Sequence, residues 1–424
     1  LFLFWNNARR VIMLVYLTGL SMITPIATAD IEVSGFATAG FTTSNDDELI
    51  FQSSLDRIPE AGINWQTNSL LGVQINYQVS DELDIVVQAL LEHKHNNSIA
   101  DFLEMAFVRY RFNRNWSARL GRLNYNAYLT SEYLNVGYST LWASPPTEFY
   151  TPSSNISYID GAELEYRKSV STGIMQATFA YGDSQANIAS TGDDYWLKYK
   201  RVVNGSLSFE TSSWGIKATL SHFHGEDSYF GSLNDFQRRL PSIPESWWPT
   251  AGNFARAIDF KGKQITYAAL GYHYNNGTWL LMSEVAMLDI DWALLNNLAY
   301  GYTTFGYIYG DVTPYITLAK LNTTDKRTVL AEPDYEGVPT RDGRQALSRM
   351  HRGSQNLLDI SRMQQQSVTA GARWDIDERW ALKGQVARYQ ISGPGYGIWG
   401  SDLEVSVGNK RYITVASINL STIF

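Results

Sequence analysis

The sequence predicts an all-β fold: a closed antiparallel transmembrane β-barrel of about sixteen strands. Three observations carry that expectation. Apolar and polar residues alternate through one segment after another, short turns and long connections take turns between those segments, and tryptophans recur beside the short turns.

The first element stands outside the pattern. Arg9 and Arg10 precede the apolar run VIMLVYLTGL, followed by Pro25 and the small residues Ala27, Thr28 and Ala29. A basic start, a short apolar core and a small-residue cleavage site predict a secretory signal peptide over residues 1–29, which leaves 30–424 as the barrel.

The alternation is plainest in LLGVQINYQVSDELDIVVQALLEH, residues 70–93. Leu71, Val73, Ile75, Tyr77 and Val79 alternate with Gly72, Gln74, Asn76, Gln78 and Ser80, and Leu83, Ile85, Val87, Ala89 and Leu91 resume the beat after a polar turn. Period two over about ten residues means strands with one apolar face. Similar turns fall at Ser80 to Glu82, Asn113 to Asn115, Lys168 to Thr172, Thr211 to Ser213, Asn275 to Gly277, Gly310 to Val312 and Asp377 to Arg379. Between them lie long connections near residues 44–68, 94–101, 122–158, 183–194, 225–262, 289–295, 322–362 and 392–410. A strand on each side of every turn gives the strand count. Both chain ends then fall on the short-turn side, with short periplasmic turns and long extracellular loops.

Trp116, Trp214, Trp279 and Trp380 each open the strand after a short turn, and Tyr110, Phe112, Phe209, Tyr274 and Trp374 stand at similar height on the strands entering those turns. Rings repeated at one level predict an interfacial girdle. The chain ends on an alternating segment, TVASINLSTIF, with nothing after Phe424 to cover it. In lipid every backbone donor and acceptor needs a partner, so this strand is expected to close on the first, near IEVSGFATAGF.

Composition removes other classes. Beyond the N-terminus no run of roughly 18 apolar residues offers a spanning helix. A net charge of −8 argues against nucleic-acid partners, which want a basic surface. With no cysteine, disulfides, thiolate metal sites and thiol catalysis are excluded, and neither a metal nor a cofactor is expected.

If lipid lies outside, the polar row of each strand lines the interior. Counting outward from two of the turns places Arg109 opposite Arg119 and Arg373 opposite Lys383, and like charges so placed are destabilising, which suggests a use. Basic rungs on a pore wall are the resulting expectation, with Arg111, Arg167, Lys198, Lys200 and Lys217 as further candidates. Asp84, Glu104, Glu163, Glu165, Glu284 and Asp375 also point inward, so a lumen of balanced charge is an equal alternative. The connection 122–158 is longer than a surface hairpin needs and begins at Arg122. Folded inward, it would narrow the interior and set Glu132 and Glu148 across from the arginines. Its rings, Tyr125 to Tyr150, either pack the loop against the wall or offer stacking faces to sugars.

The run from Leu120 to Pro146, with SEYLNVGYSTLWASPP, then IDGAELEYR, TPYITLAK and the terminal Phe424, resembles Gram-negative outer-membrane porins of the sixteen-strand proteobacterial type. That resemblance implies a homotrimeric, water-filled pore in the outer membrane, an inward third loop, and passage of small hydrophilic solutes and ions. The aromatic terminus is similar to the signal that barrel assembly machinery reads at Phe424, and outer-membrane lipid and lipopolysaccharide would be the surroundings. The expected pore constriction is therefore Arg109, Arg111, Arg119, Arg122, Arg373, Lys383, Glu132 and Glu148. Two other readings remain: an outer-membrane hydrolase with a rim site, and a structural barrel that does not conduct. Signals for chemistry are slight. Gly182, Asp183 and Ser184 spell an esterase-like GDS but are expected to open a loop. His93 with His95, and His222 with His224, have a two-residue spacing that puts each pair on one side of a strand; metal binding there would need a carboxylate or third imidazole nearby, and solvated loop-end histidines are the expectation.

Overall fold

The computed structural model describes residues 31–57, 62–94, 102–154, 156–189, 195–401 and 410–424. The leader expected over 1–29 and His95 lie outside these residues. Among them, sixteen strands of nine to sixteen residues and a two-residue strand, Ile63–Asn64, form one antiparallel sheet.

The sheet has no free edge. Ile31–Ser44 pairs with Leu70–Gln78 on one side and with the last strand, Arg411–Ile423, on the other, from Phe36 opposite Ile423 to Ser44 opposite Val415. Phe424 finishes the ladder: Gly35 N donates to its carbonyl at 2.8 Å and its own N donates to Gly35 O at 2.9 Å. Its ring fills the space where a Cβ on Gly35 would stand, 2.4 Å away.

Alternation sorts the side chains as expected. On the last strand Ile418 is half exposed, while Ile413, Val415, Ser417, Asn419 and Ser421 are buried inward. Trp116, Trp214, Trp279 and Trp380 each begin a strand and face outward at the short-turn end. The two predicted rungs are in register, Arg109 opposite Arg119 and Arg373 opposite Lys383.

Several boundaries move. Tyr158–Val170 and Gly173–Ile188 leave a turn of only Ser171 and Thr172, and Gly182, Asp183 and Ser184 lie inside a strand at a register shift, not at a loop opening. His222 and His224 likewise sit within Trp214–Tyr229, their rings 4.8 Å apart. The three strands from Gly173 to Tyr229 are sixteen residues each. At about 3.3 Å per residue and a tilt near 40° they rise roughly 40 Å, well beyond the apolar band of about 25 Å. Polar residues are tolerated at their long-loop ends because those ends stand clear of lipid, which is why polarity alone misplaced the boundaries.

The connections 230–263 and 324–363 build a helical module at the long-loop end of the barrel. Ala251–Ala257 and Arg341–Ile360 bury Trp248, Phe254, Leu347 and Leu358 in an apolar core of their own, and Thr340 caps the longer helix by accepting from Gly343 N at 3.1 Å.

Removing Phe424 deletes both bonds to Gly35 and reopens the end of the seam. Less of the chain should then reach the heat-modifiable folded form on unheated electrophoresis; folding at the parent yield would show that the terminal pair does not hold closure.

Candidate functional site: the third loop inside the barrel

The connection 125–157 runs through the barrel interior, not over its rim. A buried loop must satisfy its own backbone, and the wall facing it supplies the partners. Gln385 Oε1 accepts from Ala143 N at 3.0 Å and Ser144 N at 3.2 Å, while its Nε2 donates to Ser144 O at 2.9 Å. Asn419 donates to Ala143 O. Leu129 N donates to Glu284 Oε2 at 2.8 Å.

The rings of the loop are packing, not display. Trp142, Phe149 and Tyr150 are buried and meet inward-facing Tyr300 and Tyr302, with Phe149 5.3 Å from Tyr302 and Trp142 5.4 Å from it. Their polar tips are satisfied: Trp142 Nε1 donates to Thr304 Oγ1 at 3.0 Å, and Tyr150 and Tyr302 both donate to Glu284 Oε1, at 2.8 and 2.9 Å. Tyr125 donates to Ser221 at 2.8 Å. Inward residues from Tyr267 to Tyr389 join this core, as do Leu49 and Phe51 of the first loop and Trp399 of the last. Roughly half of the interior wall is therefore dry. The expectation of a polar, wet row on every strand is corrected here; Tyr300, Tyr302, Tyr315 and Tyr389 already stood on the inward parity of their strands.

The predicted basic residues divide into three groups. Lys383 and Arg373 are clamps. Lys383 is buried, and its Nζ donates to Gly137 O at 2.6 Å, Trp142 O at 2.8 Å and Thr140 Oγ1 at 3.1 Å. Arg373 donates to Tyr138 O and to Thr140 O, and pairs with Asp375 at 2.6 Å. Their charge holds loop carbonyls, so they are not open rungs of a pore. Lys217 behaves likewise, donating to Asn126 Oδ1 and Tyr128 O.

Arg109, Arg111 and Arg119 stand on the opposite wall, which the loop leaves uncovered. Each is matched: Arg109 and Arg111 reach Asp84 at 2.7 Å, and Arg119 reaches Glu165 at 2.8 Å and Glu163 at 3.4 Å. The balanced lumen is what this wall displays. Further toward the long-loop end, Asn135 of the loop donates to Glu104 at 3.4 Å. A cavity of about 160 Å³ beside it is lined by Arg57, Glu92, Lys94, Glu104, Lys383 and Asn419.

Arg122, Lys198 and Lys200 are corrections. Trp116–Asn124 continues through Arg122, which shares the outward parity of Trp116 and Leu120 and pairs with Asp160 at 2.9 Å. Lys198 and Lys200 also face outward, because the strand pair slips in register opposite Gly182 and Ser184 and Arg201 has φ +52°. One extra residue at such a bulge exchanges the two faces beyond it. Arg167 is exposed near a short turn. Of the loop carboxylates, Glu132 is exposed, whereas Glu148 is fully buried and accepts from Gln365 Nε2 at 2.9 Å. Glu148 therefore does not face the arginines.

No protein-family model matches the sequence, and no curated protein matches it either. Solved structures do match. Salmonella typhi OmpF, in complex with daunomycin, superposes with a TM-score of 0.51 at 13% identity, covering 93% of this chain and 98% of that one. The trimer form of OmpT, an outer membrane protein of Vibrio cholerae, gives 0.52 at 12% identity over 94% and 100%. The anion-selective porin from Comamonas acidovorans gives 0.50 at 13% over 94% and 100%. The fold is that of the sixteen-strand porins. At these identities the likeness shows the barrel fold and leaves the function to be argued from the site.

Replacing Lys383 with Met removes charge-assisted bonds worth about 1.5–3 kcal/mol each before relaxation and leaves buried carbonyls unmatched. Lys383→Met should lower the denaturant midpoint and expose residues 128–148 to protease; parent-level resistance would rule out the clamp.

Proposed function

We propose that the protein is a passive diffusion channel of a bacterial outer membrane, passing small hydrophilic solutes and ions between the third loop and the wall bearing Arg109, Arg111 and Arg119. The observation that carries this reading is the division of the interior. One wall is sealed by apolar contact with the loop, while the other carries Asp84, Glu163 and Glu165 in ion pairs with the partly exposed Arg109 and Arg119. Charges of both signs on a wetted wall favour water and polar solutes and sort them by size and field. The long loops would face the exterior and the short turns the periplasm, with lipid and lipopolysaccharide around the tryptophan girdle. The trimer form recorded for the similar OmpT supports a homotrimer here.

The hydrolase alternative is less well supported. Ser184 Oγ donates to Tyr158 O at 2.8 Å at a strand register shift, so its hydroxyl is committed to structure.

Because the arginines of the open wall offset its carboxylates, Arg109→Gln with Arg119→Gln leaves Glu163 and Glu165 without a cation and Asp84 with Arg111 alone. In a planar bilayer under a salt gradient the reversal potential should move toward cation preference; an unmoved potential would separate these residues from the permeation path. Deleting residues 128–148 should raise single-channel conductance in the fraction that remains heat-modifiable, and unchanged conductance would remove the loop from the constriction.

A further inference from the structure

The helix Arg341–Ile360 has two unlike faces. Leu347, His351, Ser354 and Leu358 are buried, with the His351 ring 5.4 Å from Trp248. The other face presents Arg341, Arg344, Gln345, Ser348, Arg349 and Arg352, whose spacing of three and four residues makes one continuous stripe. With Tyr335 these residues line a surface groove of about 560 Å³.

Four guanidiniums on one face repel one another, and in a chain of net charge −8 carboxylates are plentiful enough to answer them. They are not answered. Among the described residues none of the four guanidiniums forms an ion pair, and that of Arg344 alone makes a hydrogen bond, to Val338 O at 2.8 Å. The carboxylates nearby are turned elsewhere. Glu332 accepts from Tyr335 Oη at 3.2 Å and stands 3.8 Å from His351 Nδ1. Asp334 accepts from the amides of Glu336 and Gly337, at 3.0 and 3.2 Å, and Asp359 takes both arms of Arg327, at 2.7 and 2.6 Å. Asp342 is exposed in the first turn. The packed opposite face prevents the helix from rolling to relieve the repulsion.

We propose that this groove is a binding site for phosphate monoesters carried on a sugar. A guanidinium fork meets two phosphate oxygens at once, and a dianionic group calls for more than one such fork. The Tyr335 ring offers an apolar face to a pyranose, while Gln345 and Ser348 offer hydrogen bonds to its hydroxyls. The ligand is either the headgroup of a phosphorylated glycolipid or a free sugar phosphate. The site belongs to a module with its own apolar core, so it stands whether or not the barrel conducts.

The test uses the purified full chain in zwitterionic detergent. Glucose 6-phosphate and glucose are titrated by calorimetry, and diphosphorylated and dephosphorylated lipid A are compared by native mass spectrometry. At least one phosphorylated probe should bind while its unphosphorylated counterpart does not. The triple variant Arg341→Gln, Arg349→Gln, Arg352→Gln, at exposed positions outside the lumen, should weaken that binding by about tenfold or more, consistent with loss of charge-assisted bonds. Binding of lipid A alone assigns the glycolipid source, and binding of glucose 6-phosphate, alone or with lipid A, assigns the free solute. If neither phosphorylated probe binds, or if the variant binds as the parent does, the proposal is overturned.

Discussion

Hydrocarbon offers no partner to a peptide group, and the rest of this structure depends on that constraint. A sheet with an edge could not survive there, so the first and last strands must meet. Once they meet, alternation divides every strand into an outward row that touches acyl chains and an inward row that does not. The outward row is then apolar by necessity. The inward row is free to be wet or dry, and this chain makes it both.

The dry half explains most of what the loop residues do. A long segment inside a barrel gains little unless its backbone is paired and its rings find partners, and the wall from Tyr267 to Tyr389 supplies both. Glu284 receives two phenolic hydroxyls and one amide at about 2.8 Å, so a buried carboxylate becomes an anchor for the loop. On the far side each arginine stands beside a carboxylate on a neighbouring strand. A like-charged pair such as Arg109 and Arg119 is tolerable because Asp84 and Glu165 neutralise it from outside the pair.

Much of this was legible in the sequence. Short turns fix register, so counting outward from three residues placed Arg109 opposite Arg119 and Arg373 opposite Lys383, and the tryptophan level followed from the same turns. The third loop was legible as a long, ring-rich insertion. Its anchors were not. Gly137 and Lys383 are 246 positions apart, and Glu148 and Gln365 are 217 apart, so no local pattern links them. The misplacement of Lys198 and Lys200 has a narrower cause: a single bulge reverses parity, and nothing in YWLKYKRVVNG announces one. Arg122 was misplaced because a strand that carries a charge near its end reads like the start of a loop.

Gly137 occupies a space with no room for a side chain; a Cβ there would stand 2.2 Å from Thr38 Oγ1 and 2.7 Å from Ser421 Oγ. Those two hydroxyls bond each other at 3.0 Å across the junction of the first and last strands. The insertion thus rests against both lips of the junction from within, while Lys383 and Asn419 grip it from the two final strands. Seam and insertion are therefore fitted to one another: a side chain at position 137 would press on both terminal strands at once, so the smallest residue in the loop is also a spacer for the closure of the wall.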